Sequence, residues 1–367
     1  MNKDNTFDEA NVEVEDYSCP NCEAALRFLP EKQVLHCDYC DFEINVDGTV
    51  GTEEYDFLEN AKIDNSWGDE TKVVHCDNCG ANTVIENVQM SFTCPFCGSN
   101  SVMQTDEISG IKPQRVIPFK IANSIAKDNY YKWLKKKFYV PKVVKQEIPK
   151  VELKGVYLPV WTFDTNTFSI YRGRLGKYYT KTVGSGKNKR TVTSVRYYPI
   201  RGKETVNFDD LIINAGSKLS QDEISRLQPF NTNDSYEYNK NYLVGFSAEH
   251  YDIKLNEGWE KSKPLISNRI RSSILSHYIY DVVSYLDVNT TYNDITYKYV
   301  LIPIWIGLYS YNNKQYRFIT NGETGKIIGK YPISALKVVL TVIISLVCLI
   351  LFLLLLGFFE WYNRFII

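Results

Sequence analysis

The 367-residue sequence predicts an α+β protein: two small N-terminal zinc ribbons, a β-rich central body with signs of duplication, and one C-terminal transmembrane helix. Three observations predict it. Eight of the nine cysteines fall in C-x-x-C pairs of one repeated spacing, the stretch from about Gly110 is rich in Tyr, Ile and Val, and residues 338–359 are an uncharged apolar run. These divide the chain into an acidic disordered head (1–18), ribbon one (19–48), an acidic linker (49–71), ribbon two (72–104), the body (110–332) and the terminal helix (338–359).

Cys19-Pro20-Asn21-Cys22 is followed, after fourteen residues, by Cys37-Asp38-Tyr39-Cys40; Cys76-Asp77-Asn78-Cys79 is followed, again after fourteen, by Cys94-Pro95-Phe96-Cys97. Each pair predicts a tight knuckle that aims two sulfurs at one point. Two knuckles supply four thiolates in a tetrahedron, the geometry of structural zinc. The cofactor expectation is therefore two structural zinc ions, with iron in a rubredoxin-like site as the competing metal. Four thiolates leave no position for a reactive water. Ribbons this short bury little core, so metal binding and folding are one event. Gly80 and Gly98 suit the turn after each knuckle of ribbon two, whereas ribbon one has Glu23 and Asp41 there. His36 and His75 each precede a cysteine and read as ribbon residues rather than ligands. No apolar run follows Met1–Asp4, so no signal peptide is expected and the thiols belong in a reducing cytosol.

The net charge of −1 conceals a split: −15 over residues 1–70, −3 over 71–110 and +17 over the remainder. Phosphate binding needs clustered Lys and Arg, so ribbons this acidic are expected to face protein rather than nucleic acid. Residues 171–203 are the opposite, with ten Lys and Arg and no acid. The candidate anionic-surface residues are Arg172, Arg174, Lys177, Lys181, Lys187, Lys189, Arg190, Arg196 and Arg201, interleaved with Tyr171, Tyr178, Tyr179, Tyr197 and Tyr198. Gly184-Ser185-Gly186 with Asn188 reads as the tip of a long hairpin. Its readings stay open: a solvated ribbon of strands, a surface for anionic lipid headgroups, a nucleic-acid surface using phosphate contacts and Tyr stacking, or a dock for an acidic protein surface.

In the body, apolar spacing predicts helices over about 122–138, 220–227 and 264–280, the second with a Ser220/Glu223 capping box and the third with Pro264 in its first turn. Strand patterns cover Val156–Thr162, Thr167–Arg174, Thr191–Tyr198, Tyr297–Leu308 and Lys314–Thr320. Val156–Trp161 matches Val300–Trp305, and a Pro-Phe pair recurs upstream (Pro118-Phe119 and Pro229-Phe230), which suggests a duplicated α/β unit.

As a helix, Val338–Phe359 reaches about 33 Å, against a hydrocarbon core of about 30 Å. Trp361 and Tyr362 stand where an interfacial belt would lie, and Lys326, Lys330 and Lys337 outnumber Arg364 across the span. The positive-inside rule then predicts a single-pass cell-membrane protein, N-terminus cytoplasmic and C-terminus outside. Gly184–Asn188 and Gly322–Ile327 both miss the phosphate-loop pattern. His250 and His277 have no motif around them, and His277 reads as a packed helix residue. No enzyme is expected.

On the paired ribbons, the Pro159-Val160-Trp161 and Pro303-Ile304-Trp305 strands, the Asn321-Gly322-Glu323-Thr324-Gly325-Lys326 turn and the terminal helix, the chain resembles a bacterial family. Its members are membrane-anchored proteins with tandem transcription-factor-IIB-type zinc ribbons, often labelled primosomal helicase-like. The helicase label does not suit a chain without a phosphate loop. Some members neighbour genes for phage-shock-type and flotillin-like (SPFH) proteins, which implies a scaffold in the membrane-stress response with a phage-shock or SPFH-type partner. The functional expectation is a tail-anchored zinc-ribbon adaptor that recruits a cytoplasmic protein at the inner membrane surface. The alternative is a membrane-tethered nucleic-acid-binding regulator that uses residues 171–203.

Overall fold

The computed structural model describes residues 18–46, 48–51, 53–60, 72–85, 94–99, 102–107, 111–146 and 151–366. The expected disorder of the head, most of the acidic linker, and the side chains of Lys187, Trp361, Tyr362 and Arg364 lie outside the described part. Ribbon one holds β1 (Leu26–Leu29), β2 (Val34–Cys37) and β3 (Glu43–Asn45), followed by β4 (Tyr55–Asp56) and the short α1 (Phe57–Asn60). Ribbon two holds β5 (Lys72–Cys76), β6 (Asn82–Ile85) and β7 (Val102–Glu107). The body runs β8 (Arg115–Val116), α2 (Asn123–Lys136), α3 (Lys142–Gln146), β9 (Glu152–Val183), β10 (Arg190–Asn214), α4 (Gln221–Leu227), β11 (Tyr236–Glu237) and β12 (Ser247–Glu249). It continues with α5 (Leu255–Ser276), β13 (Val282–Tyr311), β14 (Lys314–Asn321) and β15 (Ile327–Gly329), and ends in α6 (Ala335–Ile366).

Four of the five strand runs expected from sequence belong to three very long strands, β9, β10 and β13, and the fifth is β14. β9 has 32 residues, about 100 Å of extended chain. β13 pairs antiparallel along one of its edges, from Leu308↔Glu152 to Val282↔Gly176. β10 pairs along the other, from Asn214↔Val160 to Arg190↔Val183. At the root, alternate β9 residues enter two cores on opposite faces of the sheet. Tyr157, Trp161 and Phe163 face one, and Val156, Leu158 and Val160 face the other. Helices α2 and α5 and ribbon one cover the first face; α4 and ribbon two cover the second.

The duplication is present, and its register extends further than the sequence match. The units are β8–α2–β9–β10 and β12–α5–β13–β14. Each short strand pairs in parallel with the other unit's long strand: Arg115↔Val300 and Val116↔Leu301 in one, Ser247↔Val156 and Ala248↔Tyr157 in the other. The Trp161 indole N–H donates to the Ile253 carbonyl, and the Trp305 indole to the Ile121 carbonyl, both at 2.8 Å. The Asp252 and Ile253 amides donate to the Ala215 carbonyl, just as those of Lys120 and Ile121 donate to Gly322. After each unit a buried asparagine turns the chain, Asn214 accepting from the Gly216 amide and Asn321 from that of Glu323. This register places Tyr251, not Phe230, opposite Phe119. Phe119 packs on Trp305 and Tyr251 on Trp161, so the expected Pro118/Pro229 correspondence is corrected.

The first two helix expectations hold, and the third is displaced towards the N-terminus, ending at Ser276 rather than about residue 280. α4 carries both bonds of the Ser220/Glu223 capping box. α5 begins at Leu255, nine residues before Pro264, which therefore lies inside the helix. The buried stripe Leu255, Trp259, Ser262, Ile266, Ile270 and Ile274 extends the apolar face back past the proline. The ring removes only the N–H that would reach the Glu260 carbonyl on the exposed side. His277 is the C-cap of α5 and lies 3.2 Å from Glu204, not within a packed face.

Candidate metal centres and the basic arm

The four knuckles share one backbone design. The first cysteine of each accepts from the amide four residues on: Glu23→Cys19 2.7 Å, Asp41→Cys37 3.0 Å, Gly80→Cys76 2.6 Å and Gly98→Cys94 2.9 Å. The donor residue is left-handed every time, with φ of 61° at Glu23, 57° at Asp41, 66° at Gly80 and 74° at Gly98. Glycine adopts that conformation freely and Glu and Asp at a cost, so ribbon one is the more strained of the two.

All eight predicted ligands come together as two sets, Cys19, Cys22, Cys37 and Cys40, and Cys76, Cys79, Cys94 and Cys97, with sulfurs within 4.8 Å of one another. Cross-knuckle Sγ–Sγ distances are 3.4 Å (Cys19–Cys40), 3.5 Å (Cys22–Cys37) and 3.7 Å for both Cys76–Cys97 and Cys79–Cys94. A tetrahedral ion with bonds of about 2.3 Å needs sulfurs roughly 3.8 Å apart. The donor sets therefore fit zinc. The Phe42 amide is the largest of the influences that lower the Cys40 thiol to about 6. In Cys22 the Ala24 amide acts in the same direction, but bonds with Cys37 and Cys40 raise the thiol to about 12. The histidines stand aside. His75 Nδ1 lies 2.8 Å from Asn82 Oδ1, and His36 is surrounded by Asp38, Asp41 and Glu43 at 3.6–3.7 Å.

Neither ribbon is detached from the body. In ribbon two, β6 pairs with β12 through Val84↔Ala248 and Thr83↔Glu249, so the ribbon's strands continue the body's sheet. Lys218 Nζ donates to the Cys79 carbonyl at 2.6 Å. Beside it the buried Glu249 accepts from the Ser217 and Lys218 amides at 3.0 and 3.2 Å. Burial, with help from Asp252, raises Glu249 to about 7 against the pull of those amides. In ribbon one, the Phe28 amide donates to Val244, the Phe28 ring meets Tyr242 edge-on, and Gln33 Nε2 donates to the Phe119 carbonyl.

Of the predicted basic residues, Arg172, Arg174, Lys177 and Lys181 lie on β9 and Arg190, Arg196 and Arg201 on β10, with Lys189 beside the tip. Gly184 and Gly186 turn the tip with φ of 95° and 58°. From Thr165 to Leu175 alternate β9 residues are buried, and the helix packed against this stretch is α5. Among the described residues the opposite face has no cover, and it carries Phe168, Ile170, Arg172, Arg174, Arg201, Lys203 and Tyr285. Arg174 lies over the Tyr197 ring and Arg196 over Tyr179, at 5.0 and 5.2 Å. Beyond Gly176, where β13 ends, β9 and β10 continue as a two-stranded tip.

Sequence reading missed a charge cluster around a buried lysine at the arm's root. Lys298, 1% exposed, lies 2.7 Å from Asp210 and 3.4 Å from Glu54. Asp164 accepts from the Asp210 amide at 2.6 Å, and burial with the bond to Glu54 raises it to about 8. Burial alone would lower Lys298, but Asp210, Asp164 and Glu54 hold it above the usual lysine value. Glu54, Asp164 and Asp209 also bring three carboxylates together, and of these Glu54 is paired with the lysine. A lone lysine inside the apolar run Tyr297–Trp305 was the available signal.

One helix among the described residues is long and apolar enough to cross a bilayer, Ala335–Gly357, 23 residues that contain a stretch of mean hydropathy 3.4. It begins three residues before the expected span and fits a single-pass membrane protein. No family model matches the chain, and no solved structure matches it. The chain is 29% identical over 324 residues to the uncharacterized protein YdjG of Bacillus subtilis (strain 168), covering 88% of this chain and 91% of that protein.

Proposed function

We propose that the chain is a membrane-anchored adaptor without catalytic activity, facing the cytoplasm, in which two structural zinc ions brace the body and the basic arm receives an acidic protein partner. The observation that carries it is the arm's uncovered face. Phe168, Ile170 and Tyr285 are 38%, 55% and 47% exposed there, beside arginines of which, among the described residues, only Arg172 is paired with an acid, Asp287 at 3.2 Å. Aromatic and arginine side chains are the residue types that anchor protein interfaces. The anchor adjoins the other end of β9: α6 follows β15 and is tied to the α2–α3 corner, and α2 bonds through Asn123 to the Leu153 carbonyl. The 24 to 30 residues from Leu153 to the tip span roughly 80–100 Å. That reach favours a partner held away from the membrane surface. A phage-shock- or SPFH-type protein would suit the resemblance of the sequence.

The test is photo-crosslinking from position 178 of the full-length chain in its native membrane. A single protein adduct that disappears on charge reversal at Arg172, Arg174 and Arg201 is expected. An adduct indifferent to those charges would remove the adaptor reading, and a nuclease-sensitive one would favour the nucleic-acid regulator.

A further inference from the structure

We infer that the lysine-rich corner between α2 and α3, closed onto the first turn of α6, is a seat for anionic lipid headgroups; this rests on α6 spanning the bilayer. The corner is fastened to the anchor. Lys337 Nζ donates to the Phe138 and Val140 carbonyls at 2.8 and 2.6 Å, and the Ser334 amide donates to the Tyr139 carbonyl at 2.8 Å. Trp133 meets Tyr331 edge-on, and Lys137 lies over both rings. Lys145 Nζ closes the corner on the Lys135 carbonyl.

Two properties of this corner match a membrane surface. Its charge has one sign: residues 129–146 hold six lysines and no acid, and residues 324–342 add Lys326, Lys330 and Lys337, again with no acid. Its exposed apolar side chains belong to the segments joined at the anchor. Phe138, Val143, Ile333 and Leu336 are 66%, 55%, 62% and 79% exposed, and Leu336 begins the apolar surface of α6. Apolar groups at the mouth of a span enter the interfacial layer, while lysines extend their ammonium groups to the phosphates. The tie through Lys337 prevents the corner from swinging away, so a chain held by α6 brings these lysines to the headgroup layer. The surface is separate from the arm, whose basic residues lie at the other end of β9.

A basic residue near an anionic surface favours it by about fivefold. The test uses the full-length chain in vesicles of phosphatidylcholine with phosphatidylglycerol as the minor component, and traces of each lipid spin-labelled to read which one contacts the protein. Preference for phosphatidylglycerol is expected, narrowing with salt. Lys135→Gln, Lys136→Gln and Lys142→Gln together should reduce it by at least about fivefold. These side chains are exposed, so the fold does not depend on them. Arginine at the same positions should retain the preference, and Lys177→Gln with Lys181→Gln should leave it unchanged. No preference in the parent chain, or the same preference in the glutamine variant, overturns the inference. Flotation separates the premise: a chain that does not float with the vesicles overturns the span and the seat together, and one that floats without preference overturns the seat alone.

Discussion

Glu249→Gln should flatten the pH dependence of stability. The carboxyl is buried between the Ser217–Lys218 turn and ribbon two, and its folded value is raised from 4.5 to about 7. Raised means that the folded state binds the proton more tightly. Its contribution is fully present below pH 4.5 and is lost as pH rises through about 7. Two and a half pH units correspond to about 3 kcal/mol, and burial above nine-tenths leaves little solvent screening to discount. Glutamine keeps an oxygen to accept from the two amides and has no charge to bury. Denaturant titration of both proteins in one detergent, at pH 6 and pH 8, should show the variant gaining on the parent by about 1 kcal/mol as pH rises. Zinc release at the lower pH affects both chains and cancels in the difference. Parallel pH curves would refute a buried, proton-binding Glu249.

Other consequences follow from single residues. Glu23→Gly and Asp41→Gly should each stabilise the zinc-bound form of ribbon one by about 1 kcal/mol, because a left-handed φ then carries no side-chain penalty; chelator competition would read it as tighter zinc retention. Gly258→Ala should destabilise by about 1–3 kcal/mol in a denaturant titration. Its Cβ would stand 2.7 Å from a Trp161 ring whose N–H is held by Ile253, although Ala126 fills the equivalent position of the other unit. Lys298→Met should destabilise by about 3–5 kcal/mol, since it leaves the nearly buried Asp210 without its cation, and Asp210→Asn in the same background should recover part of that loss.

What could be read from the sequence was local. Four C-x-x-C knuckles, the Ser220/Glu223 capping box and the apolar tail each carry their geometry within a few residues. The duplication was visible where Val156–Trp161 and Val300–Trp305 share side-chain types. It was misplaced upstream because Arg115–Ile121 and Ser247–Ile253 share backbone bonding rather than residues. The long strands looked broken because their burial pattern changes along the way. β9 is buried on both faces at Val156–Phe163, alternates from Thr165 to Leu175, and is exposed beyond Gly176. The lysine cluster was hidden because residues 54, 164, 210 and 298 meet only in the folded sheet. The α2–α3 corner carries no local signal, because the Lys337 that its Val140 carbonyl holds is 197 residues further along the chain.

That zinc braces the body through ribbon two is tested most directly by hydrogen exchange on the full-length chain in detergent, before and after a chelator removes the metal. Protection should be lost in β5 and β6 and then in the strand they pair with, Ser247–Glu249, reaching Val156–Tyr157 beyond it. Loss confined to the knuckles, with Ser247–Glu249 and Val156–Tyr157 as protected as before, would contradict it.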